Sequence, residues 1–517
     1  MSHLARFTQC GSLCRDRYGW NRIKQRLGFV SGLRFAAAIH KGPRSFPSWS
    51  GGYRVRNGDD RRARVLRLFV QRTSPKQNQS YSWRMLKALK LSNVGPVSEV
   101  DIELASRLNL FTGDNGLGKT FLLDICWWAL TRRWPNEVNP KLTSGFAARP
   151  NDVSKASSIS FTVDGKKTND IEYSSKYEPR EEGWKGSAGR PPNPGLVVYA
   201  QADGGFSVWD PARNYWVKKG NLDTQDRIPA YVFSPREIWD GLDSIDERPA
   251  RLCNGLISDW SGWIKENGAN AKHMRDLLRS LVPDGDNIEV VGNSRLSVND
   301  ARDIPTIRPP YGGNVPIVHA SAGIKRALGL AYMLVWSWNE HVQAANLLGE
   351  ANTNQVVLLF DELESHLHPR WQRTILRSVL DASKTLHADA QVQLLAATHS
   401  PFVLASAEPF FDHDKDAWFD LDLVDNRAVL EQRVFTRYGD VSNWLTSDAF
   451  DLKEARSLEA EIAITNALAL LRQTKPDWSE LEKVTAQLKG SLGEIDRFWM
   501  RWSAYVEQQH ASNKSTA

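Results

Sequence analysis

The chain has 517 residues, 41% of them hydrophobic, which allows a large core and, from length alone, roughly two to four domains. Its net charge of +6 is uneven: residues 1–84 carry 18 Lys and Arg against 3 Asp and Glu, and the remainder carries 48 against 57. The basic character therefore belongs to the N-terminal segment and is weak evidence that the body binds nucleic acid. The longest apolar run of helical character, Ala327–Trp338, covers about 12 residues, too short to span a bilayer. The cysteines Cys10, Cys14, Cys126 and Cys253 form neither a disulfide framework nor a paired zinc motif, so the expectation is a reducing, cytoplasmic compartment without a membrane partner.

In chain order, residues 1–84 lack periodicity and carry turn signals such as Lys41-Gly42-Pro43 and Ser50-Gly51-Gly52. Three readings stay open for them. They are a disordered basic extension (translated from upstream of a natural start, since the organised pattern begins at Met85), a basic arm on nucleic acid, or an organellar targeting peptide. Leu86–Leu91 and Val100–Leu104 alternate as two amphipathic strands around the turn Asn93-Val94-Gly95-Pro96. Arg107–Phe111 reads as a buried strand. It leads into Gly113-Asp114-Asn115-Gly116-Leu117-Gly118-Lys119-Thr120, and Phe121–Leu130 reads as the helix leading out.

Residues 131–250 are turn-rich, with half-exposed strands at Ile159–Val163 and Ile171–Tyr173 and a Gly/Pro/Arg surface loop at Gly183–Pro194. Leu196–Ala200, ending at Gln201, and Ala230–Phe233 read as buried strands. Residues 251–282 look helical, and no heptad pattern is sustained between 130 and 320. Ser321-Ala322-Gly323 opens a long helix striped by Ala327, Leu330, Ala331, Leu334 and Trp338. Val356–Phe360 is a buried strand ending in Asp361-Glu362, and Pro369 starts a helix. Val392–Ala397 is a further buried strand ending in Thr398-His399-Ser400-Pro401. Past residue 411, two strand-like runs precede charged amphipathic helices.

The stretch Gly113–Thr120 fits G-x-x-x-x-G-K-[ST], in the strand–loop–helix setting where backbone N–H groups and a positive helix end converge on a polyanion. In it Lys119 would reach the β- and γ-phosphates and the Thr120 hydroxyl would ligate Mg²⁺. In a parallel sheet the other strand ends gather beside those phosphates. There Asp361 can hold Mg²⁺ with Thr120, Glu362 can accept a proton from the attacking water, and His399 can hydrogen-bond the γ-phosphate. The tryptophans, among them Trp127, Trp128, Trp336 and Trp371, read as core and not as base-stacking platforms.

At these residues the chain resembles the ABC-class ATPases of the RecF, SMC and OLD kind, often grouped as AAA-family ATPases. The motifs that carry the resemblance are Gly-x-Asn-Gly-x-Gly-Lys-Thr, the run Phe360-Asp361-Glu362-Leu363-Glu364-Ser365-His366-Leu367-His368-Pro369, and Thr398-His399-Ser400-Pro401. It covers about 85–130 and 315–410. It implies that Ser321-Ala322-Gly323 is the signature motif, Ser365–His368 the D-loop, His399 the switch histidine and Gln201 the Q-loop glutamine. It also implies a homodimer with two ATPs sandwiched between heads, in which Ser321 and Gly323 of one copy cap the γ-phosphate held by the other. Lys325 and Arg326 would add charge near those phosphates. Long coiled-coil arms and a Toprim nuclease motif are missing from the sequence, and transporter ATPases are disfavoured by the Glu-x-His-Leu-His-Pro form.

The expected fold is α/β: a P-loop NTPase of ABC-type head architecture with a mixed or parallel sheet core, a β-rich N-terminal lobe, a helical insert and a helical C-terminal tail. The expected divisions are 1–84 (basic extension), 85–130 (first part of the head), 131–310 (insert), 311–410 (second part of the head) and 411–517 (strands and helices). The expected function is ATP hydrolysis with Mg²⁺, coupled to a DNA-related or anti-phage defence process with a separately encoded nuclease or effector. The alternatives are a nucleotide-gated scaffold with negligible turnover and the energising subunit of a transporter.

Overall fold

The computed structural model describes residues 86–97, 99–163, 170–186, 193–215, 228–245, 248–283, 286–473 and 476–516. The basic segment 1–84, with Cys10 and Cys14, and residues 187–192 of the Gly/Pro/Arg loop lie outside them. The described start of that loop, Gly183–Gly186, is a strand and not a surface coil.

Strands β1 (Leu86–Ser92) and β2 (Glu99–Glu103) form an antiparallel pair. Strand β3 (Leu108–Gly113) runs into the glycine loop, and helix α1 (Lys119–Thr131) runs out of it. Strands β4 (Ser158–Val163), β5 (Ile171–Glu178) and β6 (Gly183–Gly186) return to β1, closing an antiparallel sheet in the order β2-β1-β4-β5-β6. The 131–310 segment then adds β7 (Leu196–Ala200), β8 (Phe206–Trp209) and β9 (Tyr231–Phe233) to a second, larger sheet.

The short pair β10 (Leu242–Asp243) and β11 (Arg251–Cys253) leads to α2 (Leu256–Glu266) and α3 (Ala269–Leu281). The insert is not purely helical, because β12 (Glu289–Ser294), β13 (Ile304–Arg308) and β14 (Val315–Pro316) form a small antiparallel sheet beside those helices. The register shift at Gly292 breaks the alternation that would have marked β12 in the sequence.

The long helix α4 (Ala322–Leu348) follows, then β15 (Gln355–Phe360), α5 (Pro369–Leu386), β16 (Gln391–Ala397), α6 (Pro401–Ala407), β17 (Asp416–Val424) and β18 (Arg427–Arg433). The large sheet has the order β18-β17-β3-β16-β15-β7-β8-β9. Its five central strands, β17 to β7, are mutually parallel, and the outer strands are antiparallel to their neighbours. The chain therefore has the expected α/β, P-loop head architecture with a mixed sheet and a β-rich N-terminal lobe.

Side chains alternate across that sheet into two cores. Val357 and Leu359 of β15, Tyr199 of β7 and Leu395 of β16 face α1 and the N-terminal lobe. Val356, Leu358 and Phe360, with Val198 and Leu394, face α4, α5 and the insert helices. Because α1 lies between the two sheets, it is buried almost all round, from Leu122 to Thr131, and shows no polar stripe. Each large side chain fully buried there, such as Leu123, Ile125 or Trp127, contributes about 1.5–3 kcal/mol. Helices α7 (Leu458–Leu471), α8 (Trp478–Ser491) and α9 (Phe498–Thr516) share a third, separate core around Trp502 and Leu488. Among the described residues no helix is long and apolar enough to cross a membrane.

Candidate functional site at the strand ends

Parallel pairing brings the strand-end motifs together. β16 lies between β3 and β15, and β7 flanks β15 on the other side. Backbone hydrogen bonds continue past the strand ends. Thr398 N donates to Phe111 O (3.0 Å), Leu363 N to Ala397 O (3.3 Å) and Asp361 N to Ala200 O (2.9 Å). The glycine loop, Thr398-His399, Asp361-Glu362 and Gln201 thus stand along one sheet edge, where ligands of open α/β sheets bind.

Within the loop, Gly116 has φ +81 and a Cβ there would meet no atom within 4 Å, so the turn is an open concavity. Lys119 is 5% exposed, and its Nζ donates to Gly113 O (2.7 Å) and Asp114 O (2.8 Å). Burial pushes its pKa down to about 8, against the attraction of Asp361, Asp114 and Glu364. The loop residues Asn115, Leu117 and Gly118 complete the turn into α1, with Gly118 as its left-handed N-cap.

Asp361 is 1% exposed. Burial raises its pKa to about 6, a rise that the nearby Thr120 hydroxyl and Lys119 ammonium oppose. Its Oδ2 has no hydrogen-bond partner, and neither does Oε1 of the fully buried Gln201. These two orphan oxygens with the Thr120 hydroxyl form a hard, oxygen-only donor set that fits Mg²⁺. Gln201 closes a tight turn, its N donating to Gly205 O (3.0 Å), and its Nε2 reaches Ser144 Oγ (3.4 Å).

Glu362 sits at φ +49, in the left-handed region that non-glycine residues rarely adopt. The kink lets the next residue, Leu363, return to pair with Ala397, and such outliers concentrate at functional sites. His399 is half-buried. Burial and the Lys119 ammonium hold its pKa below the usual imidazole value, while Glu362 and Asp114 pull the other way.

Three residues with no assigned part in the sequence reading hold this arrangement. The Glu364 carboxylate accepts from Thr398 Oγ1 (2.6 Å) and from the His399 backbone N–H (2.5 Å), which fixes the histidine turn; His366 and His368 stay exposed. Asp124, one helical turn after Thr120, accepts from Tyr199 OH (3.0 Å), with the Gly145 backbone near it. Burial, opposed by both, pushes Asp124 up to about 8. A lone carboxylate in the apolar run of α1 was the available signal.

Ser321 and Ala322 stand at the exposed start of α4, and Ser321 caps its own helix, its Oγ accepting from Ile324 N (3.5 Å). A Cβ on Gly323 would lie 3.0 Å from His366 O, so the start of α4 and the Ser365–His368 turn are close neighbours within the chain. Arg326 turns into its own chain, close enough to the strand-end site to feel Asp361 and Glu362. Its Nη2 donates to Gln201 O (3.3 Å), and its guanidinium carbon lies 5.9 Å from the Phe206 ring centre. Burial lowers its pKa against the attraction of Asp203, Asp361 and Glu362.

Comparison with known proteins gives the family. The Septu protein PtuA of Bacillus thuringiensis is 21% identical over 329 residues, covering 62% of this chain and 74% of that protein. The retron Vc95 probable ATPase of Vibrio cholerae serotype O1 biovar El Tor is 23% identical over 139 residues, covering 26% of this chain and 23% of that protein. Among solved structures, an SMC head domain from Thermotoga maritima aligns with 68% of this chain and 99% of its own at 14% identity and TM-score 0.32. The recombination mediator protein RecF aligns with 69% of this chain and 100% of its own at 13% identity and TM-score 0.33. With scores this low, the fold rests on the strand order described above. Residues 108–405, more than half of the chain and a span that includes the glycine loop and His399, match the model described as "AAA domain, putative AbiEii toxin, Type IV TA system", and the chain belongs to this AAA-domain ATPase family.

Proposed function

We propose that the chain is an ATP hydrolase that works as a head-to-head dimer in a defence-type process, with a separate effector carrying out the terminal chemistry. The observation that carries the hydrolase reading is the convergence of the phosphate loop, Asp361-Glu362 and Thr398-His399 along one sheet edge, with buried Asp361 Oδ2 left without a partner. The backbone N–H groups of residues 113–120 cradle the phosphates, and Lys119 leaves the carbonyls of Gly113 and Asp114 to neutralise the β- and γ-phosphate oxygens. Mg²⁺, when bound by Thr120, Asp361 and Gln201, supplies charge neutralisation for the phosphates. Glu362 accepts the proton of the attacking water, and His399, kept neutral near pH 7 by its depressed pKa, hydrogen-bonds the γ-phosphate.

Ser321 and Gly323 begin α4 on an exposed surface, which suits a cap over a nucleotide held by a second copy. The Septu and retron relatives support the defence half of the reading.

The test is steady-state ATP hydrolysis with tight-binding measurements alongside. Lys119→Ala is expected to lose ATP binding. Glu362→Gln is expected to bind ATP yet hydrolyse it at least about 100-fold more slowly. Hydrolysis at the wild-type rate by Glu362→Gln would remove Glu362 as the base. Tight binding with no turnover in the wild type would favour the nucleotide-gated scaffold instead.

A further inference from the structure

Helix α1 crosses the sheet edge with two polar residues one turn apart, Thr120 and Asp124, on one face. Each is tied to a different strand. Thr120 lies near Asp361, just past the end of β15, where its hydroxyl favours the charged carboxylate. Asp124 accepts from Tyr199 OH (3.0 Å) in β7. Tyr199 and Leu359 are register partners, so the two links lie side by side across neighbouring strands.

Asp124 reaches Gln201 from two directions. Tyr199 precedes Gln201 by two residues and therefore shares its face of the strand. The second route runs through the loop after α1. The backbone of Gly145 lies near enough to Asp124 to favour its charged form, and the adjacent Ser144 Oγ receives Gln201 Nε2 (3.4 Å) while donating to Asp203 (3.2 Å). Gly145 has φ +74, and a Cβ there would lie 2.6 Å from Pro135, so only glycine fits at this turn. Gln201 Oε1 and Asp361 Oδ2 are both left without a partner. Asp124 and Tyr199 are 7% and 0% exposed, so neither meets solvent to any extent that matters.

We propose that Asp124 and Tyr199 are a positioning pair that locks the phosphate-loop helix to the Gln201 turn and thereby presets the oxygen set of Thr120, Asp361 and Gln201 for a divalent cation. The pair acts through those three residues and does not touch nucleotide. The inference rests on the nucleotide-site reading above and extends it to residues outside the motifs. Groups that orient metal ligands in this way alter metal affinity by roughly 10–100-fold when removed.

The experiment titrates a fluorescent, non-hydrolysable ATP analogue onto the full chain at a series of Mg²⁺ concentrations and in EDTA. Tyr199→Phe deletes one hydroxyl. Asp124→Asn leaves one acceptor oxygen in place of two, so one arm is lost. Each is expected to raise the Mg²⁺ concentration at half-maximal binding by about 10–100-fold and to leave the EDTA affinity unchanged. The double variant is expected to shift the midpoint further than either single variant, because Tyr199→Phe removes the hydroxyl arm that Asp124→Asn can still accept. Ser144→Ala, further from the core, shifts the Mg²⁺ midpoint in the same direction and serves if Asp124→Asn fails to fold. A folded Tyr199→Phe protein with the wild-type Mg²⁺ midpoint overturns the inference. Wild-type binding that ignores Mg²⁺ altogether overturns the nucleotide-site reading, and the inference falls with it.

Discussion

At the scale of single residues, the site is built from buried charges that are costly without their ligand. Asp361 has a folded pKa of about 6 against an ordinary 3.8, chiefly from desolvation. Between those values the folded state holds more protons than the unfolded one, so stability falls as pH rises through that window. The penalty is absent below about pH 4, complete above about pH 6, and on the order of 3 kcal/mol. Asp361→Asn is therefore expected to flatten the pH dependence of urea unfolding in EDTA between pH 4 and 7 while abolishing Mg²⁺-dependent nucleotide binding. An unchanged slope would place the titrating group elsewhere. Glu364 supports His399 without touching nucleotide. Glu364→Ala leaves the Thr398 hydroxyl and the His399 N–H without their acceptor, an expected loss of about 1–3 kcal/mol in stability. Its kcat should fall more than its KM rises, since a misplaced His399 matters most as the γ-phosphate leaves. Equal effects on both constants would argue for a purely structural Glu364.

At the scale of elements, α1 and α4 carry the two halves of the proposed chemistry. Helix α1 starts within the loop and is held between two sheets, so its N-terminus is fixed at the glycine loop. Helix α4 is buried along most of its length, but its N-cap Ser321 and first residue Ala322 are exposed. Ser321→Arg puts a bulky cation at that exposed start and costs the N-cap, about 1 kcal/mol. ATP binding is expected to persist while dimerisation and hydrolysis are lost, the latter by more than about 10-fold. Light scattering with ATP present reads the first and phosphate release the second; a hydrolysing Ser321→Arg monomer would contradict the cap in trans. The inward turn of Arg326 also assigns α4 a contact within its own chain, at the Gln201 backbone.

At the scale of the whole molecule, the two cores on either side of the large sheet involve the N-terminal lobe, α1, the insert helices, α4 and α5, whereas the α7–α9 core shares no residue with them. The Arg456–Asp496 pair, with Nε to Oδ2 at 2.9 Å, belongs to that outer unit. A chain ending at residue 453 is expected to keep the cooperative unfolding of the head, with a midpoint within a few degrees of the full chain, and to keep Mg²⁺-dependent nucleotide binding. Loss of the head's unfolding transition in calorimetry would show that the three helices support it.

The amino-acid sequence by itself determined the phosphate loop, the buried strands that end in Asp361-Glu362 and Thr398-His399, and the long helix behind Ser321. Each is local: glycine placement, apolar runs and capping residues act over a few positions, so spacing alone reveals them. Even the tryptophans were legible as core, with Trp127, Trp128 and Trp336 all buried. Tertiary structure alone decided which side chains meet. The inward direction of Arg326, the clasp of Glu364 on Thr398, and the Asp124–Tyr199–Gly145 link join residues far apart in sequence. Those contacts depend on strand order and register, in which a one-residue slip would send every side chain to the opposite face. The β12–β14 sheet was hidden for a related reason, since a shifted register and part-exposed strands erase the alternation that sequence reading needs.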